Sequence, residues 1–75
     1  MAYASGGRLI GILEVDEGKL RLQVESILDN NRPDMFVVVK RGDKTPVIGD
    51  VIHWSMGRVY FNNGNDSLEQ VGGAI

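Results

Sequence analysis

The sequence predicts a small all-β domain, a five- or six-stranded antiparallel barrel or strongly twisted sheet. Three observations carry that expectation. Short apolar runs recur at Leu9-Ile10-Gly11-Ile12-Leu13, Met35-Phe36-Val37-Val38-Val39, Val47-Ile48 with Val51-Ile52, and Val59-Tyr60-Phe61. They read as strands that are apolar on both faces. One further stretch alternates, with Leu20, Leu22 and Val24 separated by Arg21 and Gln23, as in a strand solvated on one side. Ten glycines and two prolines punctuate the chain, a spacing that suits many short strands joined by tight turns.

Taken in order, residues 1–7 are small and glycine-rich and read as a flexible N-terminal arm. The first strand covers 8–15. Asp16-Glu17-Gly18-Lys19 turns the chain, and Gly18 can take a positive φ, so a type I turn with a glycine bulge is expected. The return strand covers 19–27. Leu28 to Asp34 is a loop in which Pro33 lacks an amide donor and biases Arg32 away from helix. Residues 35–40 form a valine-rich central strand, and 41–46 a second loop. Residues 47–55 and 58–62 make a second hairpin across Ser55-Met56-Gly57-Arg58, whose form repeats that of the first turn. A polar loop at 62–66 precedes a short last strand at 67–71, and 72–75 read as a flexible tail. One domain therefore spans 8–71. Gly11 and Gly49 interrupt strand patterns, where glycine marks a bulge or barrel corner. Closing such a sheet removes its exposed edges.

Composition narrows the function. Eight Lys and Arg against ten Asp and Glu give a net charge of −2, without the basic excess usual in nucleic-acid binders. There is no cysteine and only one histidine, which excludes disulfides and argues against a nitrogen or sulfur metal site. No cofactor is expected. No apolar run approaches the ~18 residues of a membrane span. The first residues lack a secretory pattern, so a cytoplasmic or otherwise intracellular setting is expected. A domain below ~70–80 residues usually needs a disulfide, a metal or oligomerisation. With the first two gone, a homo-oligomer is expected.

Candidate site residues concentrate in the second hairpin. A bulge at Gly57 would put Ile52, Trp54 and Tyr60 on one face and Val51, His53, Val59 and Phe61 on the other. Val51, Val59 and Phe61 are assigned to the core. Ile52, Trp54, Arg58 and Tyr60 then form an outer interface patch, of residue types that dominate interface hot spots. The competing reading makes Trp54 the core tryptophan. His53 stands alone and reads as a structural or interface residue. No two carboxylates are spaced to share a cleft, so no catalytic residues are assigned and no enzyme is expected. Asn62, Asn65 and Asp66 around Gly64 do not fit a calcium loop and read as an ordinary turn. Arg41-Gly42-Asp43 resembles the tripeptide that some extracellular ligands present to integrins, but its glycine and aspartate are equally turn formers. Lys40, Arg41 and Lys44 form the one basic cluster and are the candidate nucleic-acid contacts. Trp54, Tyr60 or Phe36 would stack on bases if they face outward.

Two strings carry a family resemblance. Gly7-Arg8-Leu9-Ile10-Gly11-Ile12-Leu13, followed by Asp16 and by Leu20-Arg21-Leu22, resembles the first motif of the Sm-like RNA-binding ring proteins. Val37-Val38-Val39-Lys40-Arg41-Gly42-Asp43 resembles their second. The resemblance implies a β-barrel that forms rings and binds RNA. The chain departs from that family in lacking an N-terminal helix. It also carries Gly18 or Lys19 where the family's base-binding asparagine would stand, and a hairpin at 47–61 where the family has one short strand.

The expected function is a non-catalytic, self-associating structural or protein-interaction subunit of a larger assembly, of viral or mobile-element type. The alternative is a small nucleic-acid-binding barrel of Sm-like kind.

Overall fold

A computed structural model of the chain describes residues 5–27 and 33–73. The strands are β1 (Ser5–Asp16), β2 (Lys19–Glu25), β3 (Met35–Lys40), β4 (Val51–Ser55), β5 (Arg58–Phe61) and β6 (Asp66–Gly73). All pairings are antiparallel, and hydrogen bonding runs β1-β2-β3-β6-β5-β4 and back to β1. The result is a single strongly twisted sheet closed on itself, though not an even barrel. The all-β class and the strand number agree with the sequence expectation.

The interior is built from alternate residues of every strand. Leu9, Leu20, Leu22, Val24, Val37, Val39, Ile52, Val59, Phe61 and Leu68 are buried, and Ile12 and Trp54 pack against them. The strict alternation of β2 places Leu20, Leu22 and Val24 inside and leaves Arg21 exposed.

β1 does the closing. Its second half pairs with β2 from Arg8↔Glu25 to Asp16↔Lys19, and its first half pairs with β4 from Ser5↔Trp54 to Arg8↔Val51. The ladder extends one step further, where the Leu9 amide donates to the Asp50 carbonyl and the Gly49 amide to the Leu9 carbonyl, both at 2.8 Å. Changing partners requires the strand to bend. The register shift between Leu9 and Gly11 supplies a bulge at Ile10, which increases local twist. Gly11 therefore lies at a bulge, as its place in the strand pattern suggested. Gly49, at φ 100°, lies in a turn.

The arm and tail expectations need correction at their inner ends. Residues 5–7 are strand rather than arm. A Cβ on Gly7 would overlap the Glu25 carbonyl oxygen, and one on Gly6 would overlap the Ile52 carbonyl oxygen. The glycines are there because neighbouring backbone crosses too closely for any side chain. Gly72 and Gly73 likewise pair with Val38 and Val37 at the end of β6. Residues 1–4 and 74–75, and most of the 28–34 loop, lie outside the described residues. The segment 47–50, expected as strand, is a turn in which the Asp50 amide donates to the Val47 carbonyl at 3.0 Å.

The two hairpins use different turns. Only Gly18 has positive φ in the first, at 77°, and the ladder shifts between Glu14 and Asp16, in keeping with the expected glycine bulge. In the second, Met56 and Gly57 both have positive φ, at 54° and 80°, and Ser55 pairs with Arg58 directly. That is a two-residue type I′ turn, with no bulge.

Candidate interaction surface

The tight turn decides which side chains face out. Without a bulge, Trp54 pairs with Val59 and His53 with Tyr60. Shifting a register by one residue reverses the face of one strand against the other. Ile52 and Trp54 therefore share the inner face with Val59 and Phe61, and Ile52 is fully buried. The outward placement of Ile52 and the core placement of Val51 are both corrected, since Val51 is 55% exposed. Val59 and Phe61 are core, as expected. The physical reason is burial: the I′ register unites all four large apolar side chains inside, whereas a bulge would divide them between faces.

Of the expected interface patch, Tyr60 and Arg58 remain on the outside. Tyr60 stacks on His53, with ring centroids 5.0 Å apart and planes 14° apart. Arg58 Nε donates to Ser67 Oγ at 2.9 Å. Trp54 is half-buried and lines the edge of the core rather than an exposed patch.

The basic cluster is also rearranged. Arg41 Nη1 meets Glu14 Oε2 at 2.8 Å, and Lys44 Nζ meets Asp66 Oδ1 at 3.4 Å. Asn62 Nδ2 donates to the other Asp66 oxygen at 2.9 Å. That amide first, and Lys44 after it, hold the Asp66 carboxyl below the usual carboxylate range against the desolvation that would raise it. Asn62, Lys44 and Asp66 border an open cleft of about 380 Å³ between the 41–50 connection and the Asn62–Asn65 turn. Two of the three candidate nucleic-acid contacts thus already face carboxylates of their own chain. Lys40 instead lies directly opposite Lys19, and neither forms an ion pair among the described residues.

The outer face of β1, β2 and β3 was not singled out by sequence reasoning, yet it carries Ile10, Leu13 and Phe36 exposed together, while the exposed Val51 and Val71 lie on β4 and β6. Register orders it into four rows. One end row holds Asp16, Lys19 and Lys40. The next holds Leu13, Arg21 and Val38, and the next Gly11, Gln23 and Phe36, with Ile10 beside Gly11 at the bulge. The far end row holds Arg8 and Glu25. Asp34 flanks it, its carboxylate accepting from Gln23 Nε2 at 2.9 Å. Leu13 is 51% exposed, and Ile10 and Phe36 are each 37% exposed. The Arg21 guanidinium sits 5.1 Å from the Phe36 ring centroid, close enough for a cation–π contact that also covers part of the ring. The parity of the third strand, with Val37 taken as core, turns Phe36 and Val38 outward, but that of the first strand does not turn Leu13 outward, because the bulge at Ile10 reverses the faces beyond Leu9.

Among the described residues no group of three or more His, Cys, Asp or Glu is placed to hold a metal ion. Among the same residues no helix is long and apolar enough to cross a membrane. No family model, curated protein or solved structure matches the chain. The Sm-like resemblance therefore rests on its two short strings. Three strands, β4 to β6, follow the second string, where that family has one short strand.

Proposed function

We propose that the protein is a non-catalytic structural subunit that associates with copies of itself, as a component of a larger assembly. One observation carries this reading. A cluster of apolar side chains packs inside the closed sheet, yet Ile10 and Leu13 on β1 and Phe36 on β3, the two strands that flank β2, stand exposed. Removing such surface from water releases about 25 cal/mol per Å², and a chain of 75 residues has little other means of reinforcing its core. The cysteine-free sequence suits an intracellular setting. Light scattering from low micromolar to submillimolar protein tests the reading. The expected result is a mass that rises above the monomer with concentration. A monomer mass at every concentration would overturn it.

A second reading has one specific observation in its favour: Arg21 sits over Phe36, and Lys19 and Lys40 lie further along the same sheet face, none of the three in a salt bridge among the described residues. Cations interleaved with an aromatic ring suit a single-stranded nucleic acid. That reading requires oligonucleotide binding that weakens steeply with salt.

A further inference from the structure

We infer that the partner of the β1–β2–β3 outer face is the same face of a second copy, related by a two-fold axis lying across the strands above the row Ile12–Leu22–Val37. The inference rests on the self-association proposed above and specifies its geometry.

Ile12, Leu22 and Val37 pair with one another and mark the middle of the three-strand face. A two-fold axis along that row turns each outward row onto the row equally far on the other side. Asp16 of one copy then meets Arg8 of the other, Lys19 meets Glu25, and Lys40 meets Asp34. Each of the three contacts pairs opposite charges. The inner rows meet as Leu13 on Gly11 and Ile10, Arg21 on Gln23, and Val38 on Phe36, so apolar groups meet apolar groups at both flanks. A C2 interface must be self-complementary in this way. The two sheets would then pack face to face with their strands aligned.

Two features of the single chain are explained. Lys19 directly opposite Lys40 is unfavourable in an isolated sheet, offset only from the far side of Lys19 by Asp16, and a facing pair of carboxylates relieves it further. Glu25 and Asp34 would repel an acidic partner or a nucleic acid on this face, whereas a second copy of the face meets them with lysines. The footprint is small, about 23 Å along the strands and about 14 Å across them from standard strand spacings. Association is therefore concentration-dependent rather than permanent.

Charge reversal tests the pairing. A K19E/K40E variant makes both end rows predominantly acidic, and an E25K/D34K variant makes both predominantly basic. Each alone is expected to self-associate at least about tenfold more weakly than the natural chain, because like charges are now juxtaposed. Mixed one to one, they are expected to recover association as a heterodimer, read by sedimentation velocity and native mass spectrometry. Circular dichroism checks the fold of each. Should either double variant unfold, K19E and E25K, which face each other across the proposed axis, carry the same test singly. If the natural chain associates and both variants associate equally well, this face is wrong while self-association stands. If the natural chain is monomeric throughout, both fall. A monomeric natural chain that binds an oligonucleotide, and loses it on K19E/K40E, would assign the face to nucleic acid and overturn the pairing.

Discussion

Met56 occupies a position that its side chain does not favour. It is the first turn residue of the β4–β5 hairpin, at φ 54°, and it is 98% exposed. An L-residue with a Cβ in the left-handed region pays roughly 1–2 kcal/mol in steric contact with its own backbone. Asparagine tolerates that region far better, and Asn-Gly is the preferred pair for a type I′ turn. No packing is lost on replacement, because the Met56 side chain meets solvent. Met56→Asn is therefore expected to raise unfolding stability by about 0.5–1 kcal/mol, seen as a higher urea midpoint at unchanged slope. A lower midpoint would mean that the turn is held by something other than its own dihedral angles. At the same scale, Asn62 and Asn63 adopt φ near 55° with residues better suited to it, at 54° and 57°. The Asn62 amide reaches Asp66 across that turn.

At the scale of the element, the seam between β1 and its neighbours is the most demanding feature. Gly6 and Gly7 lie where backbone from β4 and from the end of β2 passes within the volume of a methyl group. Gly7→Ala would press a Cβ into the Glu25 carbonyl oxygen and force the strands apart where the sheet closes. Its cost is expected to exceed about 2 kcal/mol, beyond the usual surface substitution. Gly18→Ala is strained only by its φ of 77°, since a Cβ there meets nothing within 4 Å, so it is expected to cost less. Comparative chemical denaturation of the two variants checks the order. Equal losses would show that the seam is loose.

The same element shows what was legible in the sequence and what was not. The strand identities of β2 and β3 follow directly from Leu20-Leu22-Val24 and from the valine run at 37–39. The glycines at 6 and 7 carry no such signal, because a flexible arm and a close backbone crossing call for the same residue. The second turn is ambiguous for a different reason. Ser55-Met56-Gly57-Arg58 is compatible with a bulged or an unbulged turn, and methionine gives no hint of the positive φ that the I′ form needs. One residue of register then decided the faces of Ile52, Trp54, Tyr60 and Val51 together. The β1–β2–β3 surface was hidden because its rows arise from pairing between strands, which no single strand's pattern records.

For the whole molecule, closure and association are linked through stability. Among the described residues the core holds ten buried apolar side chains, most of them valine or leucine, with Phe61 the one buried aromatic. So small a core leaves a modest margin, and binding a second copy adds to it by mass action. If the outer face pairs with itself, the folded state gains about 2.7 kcal/mol at a protein concentration roughly a hundredfold above the dissociation constant. In a domain of this size that shifts the melting temperature by on the order of 10 °C. Melting curves collected across the same concentration range used for light scattering should therefore move upward with concentration for the natural chain. The K19E/K40E variant should show a shallower rise over the same range, because its fold keeps every buried contact and its hold on the neighbour is weakened. A natural chain whose melting temperature ignores concentration would place its stability entirely within one protomer. The exposed Leu13, Ile10 and Phe36 would then serve no pairing of copies.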